Sequence, residues 1–388
     1  MRHRLYLLPG VFGFGRIASY DYFAHLEAAL VSELRAAGEE VVTYVLDVPP
    51  TASLRTRAVQ LADFVAETCQ EDRGDNGPIH LVGHSTGGLD ARLVASPDIV
   101  LPVGSAHNLA WARRLASVTT LSTPHYGTPL AAAFATVSGQ RMLYAASAIT
   151  HILLAWGEPP VNVASAVVFA MKRFGRSGFE VRAVEEATDA LLHTLDGVRA
   201  REVRAYLQAI KKDQGAILQL APEAMELFQI GVQNRPNVLY QCTASIAPPP
   251  SALTLASMLG GPWRAASSAV FATLYGFTSR CDSRYPCGPA ELSRRDESTL
   301  RKAFGEIPPP SANDGVVPIR SQIWGKIAWS GFADHLDVLG HFSDDDGDKH
   351  LDWFRSGAKF TRARFAALTA AITQGLLEST AKWGDERK

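Results

Sequence analysis

Residues 79–93 read IHLVGHSTGGLDARL, and no other stretch narrows the fold as much. Ile79–Val82 is a short apolar run of the kind that forms a buried strand. From Ser85 to Ala95 the pattern becomes helical, with Leu89, Ala91, Arg92 and Leu93 after the glycines. A strand can bend this sharply into a helix only where small residues flank the turn, and Gly83 and Gly87 stand two positions either side of Ser85. Such a turn holds the serine strained at the top of a sheet. The helix behind it aims a partial positive charge at the same point. A glycine-rich turn without chemistry is the alternative, and the strand–helix context counts against it.

The elbow sits in a matching rhythm. Arg4–Leu8 reads as a strand, Tyr22–Ala37 as a helix ending at Gly38, and Val41–Leu46 as a strand. Leu54–Cys69 reads as a helix capped by Ser53, with Leu54, Ala58, Leu61 and Val65 on one face. Val118–Leu121 is a further strand. This alternation predicts an α/β fold with a mostly parallel sheet and helices on both faces. The rhythm fails between Pro129 and about Asn234, where the chain is Ala-rich and helical in period. It returns at VLYQCTASI (238–246), IAW (327–329) and a C-terminal helix over roughly 360–377. Residues 247–312, dense in Pro, Gly and Ser, read as irregular. The expected organisation is a core of 1–128 and 236–388 interrupted by a helical cap or lid at 129–235.

Bulk properties exclude several classes. Thirty-eight basic residues against 39 acidic ones give a net charge of −1, which suits no polyanionic partner such as nucleic acid. The apolar run of MRHRLYLLPG is too short for a signal peptide, so the chain as written reads as cytoplasmic, or as a mature secreted form. No segment has the length and apolarity of a membrane span. Cys69 and Cys242 read as buried thiols. Cys281 and Cys287 flank the turn CDSRYPC and are either a small loop disulfide or two unpaired thiols. DDDGDKH (344–350) fails as a calcium loop, because position twelve counted from Asp344 is Arg355 where Glu is needed.

An activated serine needs a base, and the base needs an acid, in the order Ser…Asp…His for this architecture. His84 precedes the serine and would face the other side of the strand. His3, His25, His107, His151 and His193 lie far from the strand C-termini, while His125 could approach the rim. His335, His341 and His350 come late enough, and Asp282, Asp314, Asp334 and Asp337 are the possible acids. Position alone leaves the choice open. Backbone N–H groups for an oxyanion would come from Thr86 and from the loop PGVFGFG, with Val11 first and Phe12 second.

Taken together, LLPGVFGFG, LVGHSTGGLDAR, LSTPHYGTP, VLYQCTAS, ANDGVVPIRSQIWG and DHLDVLGHF resemble, in order, blocks of the bacterial true lipases of the Pseudomonas and Burkholderia type, members of the α/β-hydrolase fold. The resemblance covers about half the chain. It implies Ser85 as nucleophile, Asp314 as acid and His335 as base, with Val11 and Thr86 supplying the oxyanion N–H groups. It also implies a structural Ca²⁺ site in which Asp337 would be one ligand, with Asp282 or Asp296 as guessed partners; no cofactor is otherwise required. Two positions depart from the pattern: the histidine before the first glycine is Pro9, and a disulfide cysteine is Arg320.

Gly13-Phe14-Gly15-Arg16-Ile17-Ala18 fits a dinucleotide fingerprint, but the helical period starts only near Tyr22, not on those glycines. The expected function is therefore a serine carboxylic-ester hydrolase, a lipase or esterase acting on acylglycerol or other fatty-acyl esters, with transient contact to a lipid surface. Its alternatives are an acyltransferase or polyhydroxyalkanoate depolymerase with the same triad, and a non-catalytic relative that binds lipid or a partner.

Overall fold

A computed structural model describes residues 1–11, 16–17, 20–49, 51–71, 75–101, 109–136, isolated positions between 197 and 210, and then 212–251, 262–342 and 354–385. Six strands form one parallel sheet: β1 (Arg2–Leu8), β2 (Glu40–Val45), β3 (Ile79–His84), β4 (Leu115–Leu121), β5 (Leu239–Ile246) and β6 (Lys326–Phe332). Their spatial order is β2-β1-β3-β4-β5-β6. Every pairing is parallel, so all six carboxyl ends lie along one edge. With its flanking helices the sheet makes an α/β fold.

Side-chain alternation sorts the core. Leu5, Leu7 and Val82 pack on one face with Leu26, Leu30 and Leu34 of α1 (Ala24–Ala36) and Leu368, Ile372 and Leu376 of α9 (Arg362–Asp385). Tyr6, Leu8 and Leu81 pack on the other with Ala58, Leu61 and Val65 of α2 (Leu54–Glu71) and Val94 of α3 (Thr86–Ala95). Each of these leucines is fully buried, which stabilises the fold by roughly 1.5–3 kcal/mol per side chain. Ser53 caps α2, its hydroxyl accepting from the Thr56 N–H at 3.2 Å. In the region of the dinucleotide-like glycines, Arg16–Ile17 pairs antiparallel with Tyr20–Asp21, and α1 opens only at Ala24.

Beyond β4 the described helices are α4 (Pro129–Phe134), α5 (Gly215–Gln219) and α6 (Pro222–Gly231). The middle of the expected cap, together with His107, His151, His193, His350, Phe12 and residues 344–350, lies outside the described residues. The reading of 247–312 as irregular is overturned. It holds α7 (Pro262–Thr278) and α8 (Arg294–Phe304). α7 is apolar around most of its surface and burial follows, with Val270, Phe271 and Leu274 in the core. α8 starts at Ser293, whose hydroxyl accepts from the Asp296 N–H at 3.1 Å, and stops at Gly305 in the left-handed region, φ 82°. Among the described residues all four cysteines are unbridged; Cys242 is buried and Cys69 half-buried. The Cys281 thiol donates to Pro310 O and the Cys287 thiol to Tyr285 O, each at 3.6 Å. No described helix is long and apolar enough to cross a membrane.

Candidate active site

The site grows from the end of β3. Ser85 has φ 54° and ψ −126°, a conformation that costs an L-residue about 1–3 kcal/mol. Hydrogen bonds from either side hold it there: the Ser85 N–H donates to Leu121 O at 2.8 Å, and the Gly88 N–H donates to Ser85 O at 3.1 Å. The flanking glycines are there for close approach. A Cβ on Gly83 would strike the Gly87 backbone, and one on Gly87 would strike Leu8 O. Ser85 keeps 8% of its surface exposed, whereas the residues just before and after it are sealed.

The loop after β1 comes against the serine. A Cβ placed on Gly10 would lie 2.6 Å from Ser85 Cβ and 3.2 Å from Ser85 Oγ. This puts the Gly10–Val11 turn beside Ser85 and opposite the N-terminus of α3, where Thr86 is the first residue. Pro9 cannot offer the hydrogen bond that a histidine side chain would. Arg57 takes over the fastening of this loop: Nη2 donates to Pro9 O at 2.5 Å, Nη1 to Pro49 O at 3.2 Å, and Nε to the Asp90 carboxylate of α3 at 2.8 Å. Both partners of the Arg57–Asp90 pair are fully buried. Burial pushes the Asp90 carboxyl above its usual range, against the pull of Arg57. Nothing in the local sequence announces this role for Arg57.

Asp314 sits in a turn made by Asn313–Pro318. Its Oδ1 accepts the N–H groups of Val316 at 2.9 Å and Val317 at 2.7 Å. Its Oδ2 faces His335 Nδ1 at 2.8 Å. The turn is braced by α7: Asn313 Nδ2 donates to Ser279 Oγ at 2.9 Å, Thr278 Oγ1 donates to Gly315 O at 3.2 Å, and Gly315, at φ 102°, packs on Phe271. A carboxylate oxygen accepts, so His335 Nδ1 is the donor in this bond.

His335 follows β6, three strands along the sheet from β3. Its loop is tied back across that distance. The His335 N–H donates to Asp314 O at 3.0 Å, and His335 O accepts from Nε2 of His84 at 2.8 Å. His84 was expected to point away from the serine; its ring turns to His335, their centroids 4.6 Å apart. The expectation that His125 approaches the rim also fails. His125 is buried, its Nδ1 3.1 Å from the Arg92 guanidinium and its Nε2 3.1 Å from Thr120 Oγ1. Burial first, and then Arg92, push its pKa well below the ordinary histidine value.

Among the described residues, the carboxylates of Asp334 and Asp337 accept from backbone N–H groups and a hydroxyl. Asp337 Oδ2 accepts from the Asp334 N–H at 2.8 Å, and Asp334 Oδ1 accepts from the N–H groups of Leu336 and Asp337. Asp334 Oδ2 takes the Ser356 hydroxyl at 2.7 Å. The two carboxylates thus organise the loop that carries His335. Asp282 is paired with Arg284, and Asp296 belongs to the α8 cap. Among the described residues no group of three or more His, Cys, Asp or Glu could hold a metal.

Ser85 opens into an apolar cleft walled by Val11, Leu130 and Phe134 of α4, Ile217 and Leu220 beside α5, and Val317 beside Asp314. Thr128 also lines it, but its hydroxyl is turned to Val316 O at 2.6 Å. The cleft is narrow, with a cavity volume of about 30 Å³.

No protein-family model matches the sequence, and no curated protein does. Among solved structures, the mature form of lipase BlEst2 from Bacillus licheniformis is similar at 17% identity, over 87% of this chain and 86% of that one, with a TM-score of 0.40. Its propeptide form gives 17% identity over 87% and 47% of the two chains, with a TM-score of 0.42. A chain of the Tle4–Tli4 complex gives 14% identity over 90% and 70%, with a TM-score of 0.31. These likenesses are faint. The Pseudomonas and Burkholderia resemblance rests on the sequence blocks alone.

Proposed function

We propose that the protein is a serine carboxylic-ester hydrolase whose acyl-enzyme forms on Ser85. One observation carries this reading. The serine is held in a strained elbow at the mouth of an apolar cleft, and the same strand end is tied through His84 to the loop where His335 meets Asp314. Ser85 Oγ attacks the ester carbonyl carbon as His335 Nε2 takes its proton, and Asp314 stabilises the imidazolium and fixes its tautomer. The N–H groups of Val11 and Thr86 receive the negative charge that develops on the carbonyl oxygen. His335 then hands the proton to the departing alcohol. Water repeats the sequence against the acyl-enzyme, and the acid leaves.

The apolar wall of the cleft supports an acyl chain as the neighbour of the serine. It offers carbon to an acyl chain and almost no polar group apart from the serine. α4 to α6 belong to the 129–235 insertion, which we take to be the cap that closes over this chain. Fatty-acyl esters, acylglycerols among them, suit such a wall, in keeping with the resemblance to true lipases. A p-nitrophenyl ester series from acetate to palmitate, run on wild type and Ser85→Ala, tests the reading. Hydrolysis lost in Ser85→Ala supports it. A folded wild type that neither hydrolyses any ester nor reacts with a fluorophosphonate would leave a binding protein as the answer. A competing alcohol in the assay separates hydrolysis from acyl transfer by its products.

A further inference from the structure

The residue before the serine has no part in the scheme above, yet it is sealed from solvent and engaged at both ring nitrogens. His84 Nε2 lies 2.8 Å from His335 O, and Nδ1 lies 2.6 Å from the Tyr22 hydroxyl. A carbonyl oxygen only accepts, so Nε2 carries a proton. Burial, followed by the neighbouring His335, holds the His84 pKa well below the ordinary histidine value, so the ring is neutral and Nδ1 is bare. Tyr22 therefore donates to Nδ1. This fixes the tautomer from behind, as a carboxylate does for a catalytic histidine.

Tyr22 is engaged at a second atom. Its carbonyl oxygen accepts from His341 Nε2 at 3.1 Å. The segment from His335 to His341 is thus fastened at both ends to the start of α1, through His84 at one end and directly at the other. Asp334 and Asp337 cap the turn between those ends. Without His84, only the Asp314 carbonyl would hold the His335 backbone, and that bond lies on the far side, toward the acid. The imidazole of His335 must meet Ser85 from a loop that springs three strands away. A shift of about 1 Å in a reacting group costs on the order of 100-fold in rate.

We propose that His84 is a positioning residue for ester hydrolysis, a neutral Nε2–H donor that clamps the His335 backbone and so aims its imidazole at the serine one residue away. The proposal rests on the hydrolase reading and adds to it a residue that acts through His335.

The test compares wild type, His84→Leu, His84→Gln and Tyr22→Phe. Each is titrated with a fluorophosphonate to count active sites, then assayed for kcat and KM on p-nitrophenyl butyrate. Glutamine keeps an N–H near the position of Nε2, whereas leucine does not. The expected result is a fall in kcat per titrated site of about 10- to 100-fold in His84→Leu, with KM within about twofold, and recovery of most of that loss in His84→Gln. A purely structural role would lower the number of active sites and leave kcat per site unchanged. That result overturns the proposal, as does a His84→Gln variant as slow as His84→Leu. Should His84→Leu fail to fold, Tyr22→Phe decides: a kcat lowered severalfold at unchanged KM supports the clamp, and an unchanged kcat overturns it. A wild type that the fluorophosphonate does not label defeats the hydrolase reading itself, a result distinct from all of these.

Discussion

Each end of the sheet buries a pair of histidines, one pair at His3 and His80 and the other at His84 and His335. At the amino ends, His3 and His80 stack with centroids 5.1 Å apart and bond to each other at 3.0 Å. His80 Nδ1 meets Ser117 Oγ at 2.8 Å, and Thr380 of α9 closes on its Nε2 at 3.4 Å. Both residues lie inside regular strands and are fully buried. At the carboxyl ends the rings are just as close, but the backbone beside them is strained and an apolar cleft opens on the serine. One nitrogen, Nε2 of His335, remains for chemistry. Paired buried histidines alone do not make a site. What sets the carboxyl end apart is the strained backbone at Ser85 and the apolar cleft that opens on it.

The largest test of that contrast sets Ser85→Ala against His80→Gln. Ser85→Ala should lower kcat/KM by about 10⁴-fold or more with the melting temperature nearly unchanged. His80→Gln should lower the melting temperature and leave kcat/KM within about threefold. Equal losses of activity would erase the distinction between the two ends. Next in size is Asp314→Asn, which removes the acceptor that sets the His335 tautomer and should cost about 10³- to 10⁴-fold in kcat. It keeps the shape of the side chain, so circular dichroism should match wild type.

Arg57→Ala should combine two effects. It leaves the Asp90 carboxylate buried without its partner, a loss of about 3–5 kcal/mol by urea titration. It also frees Pro9 O and loosens the turn beside Ser85, so that kcat falls about tenfold in the protein that remains folded. An Arg57→Ala enzyme with full kcat would show that the oxyanion loop holds itself.

The smallest effect is in pH. His80 and His84 are both held well below their ordinary pKa, by burial first. The unfolded chain therefore takes up protons on these rings before the folded chain does. Their stabilising contribution is complete above the unfolded value near 6.5 and is lost as pH falls below it, toward the folded values. Each such ring contributes a slope of up to about 1.4 kcal/mol per pH unit in that window. Urea midpoints measured between pH 7.5 and 5.5 should fall, and should fall less steeply in His80→Gln. An identical slope in that variant would assign the acid sensitivity to other groups.

What could be read in the sequence follows from where the decisive contacts lie along it. Local periodicity and Gly83-x-Ser85-x-Gly87 were enough for the succession of elements from β1 to β4, and the structure extends β1, β3 and β4 by two or three residues and shifts β2 by one. α7 escaped because PWRAASSAVFATLYGFT has no polar face, and a helix buried around most of its surface shows no period. α8 carried a readable cap in Ser293-x-x-Asp296 and a stop at Gly305, but Pro- and Gly-rich neighbours masked them. Asp314 and His335 were named by a resemblance, after position alone had left them among several. His84 was misjudged because strand alternation tells which way a side chain faces relative to its neighbour. It says nothing about a carbonyl 251 positions later. Arg57 was missed for the same reason.

The shared direction of the six strands has a practical corollary. Every group assigned to the reaction hangs from one rim, which leaves the opposite rim free to carry cargo. The tight turn between α1 and β2 lies there, with Arg35, Ala36, Ala37 and Gly38 exposed and open space around Gly38. A dye, a peptide tag or a surface tether grafted at that turn would orient the cleft outward, so that immobilised molecules present the serine to a passing emulsion.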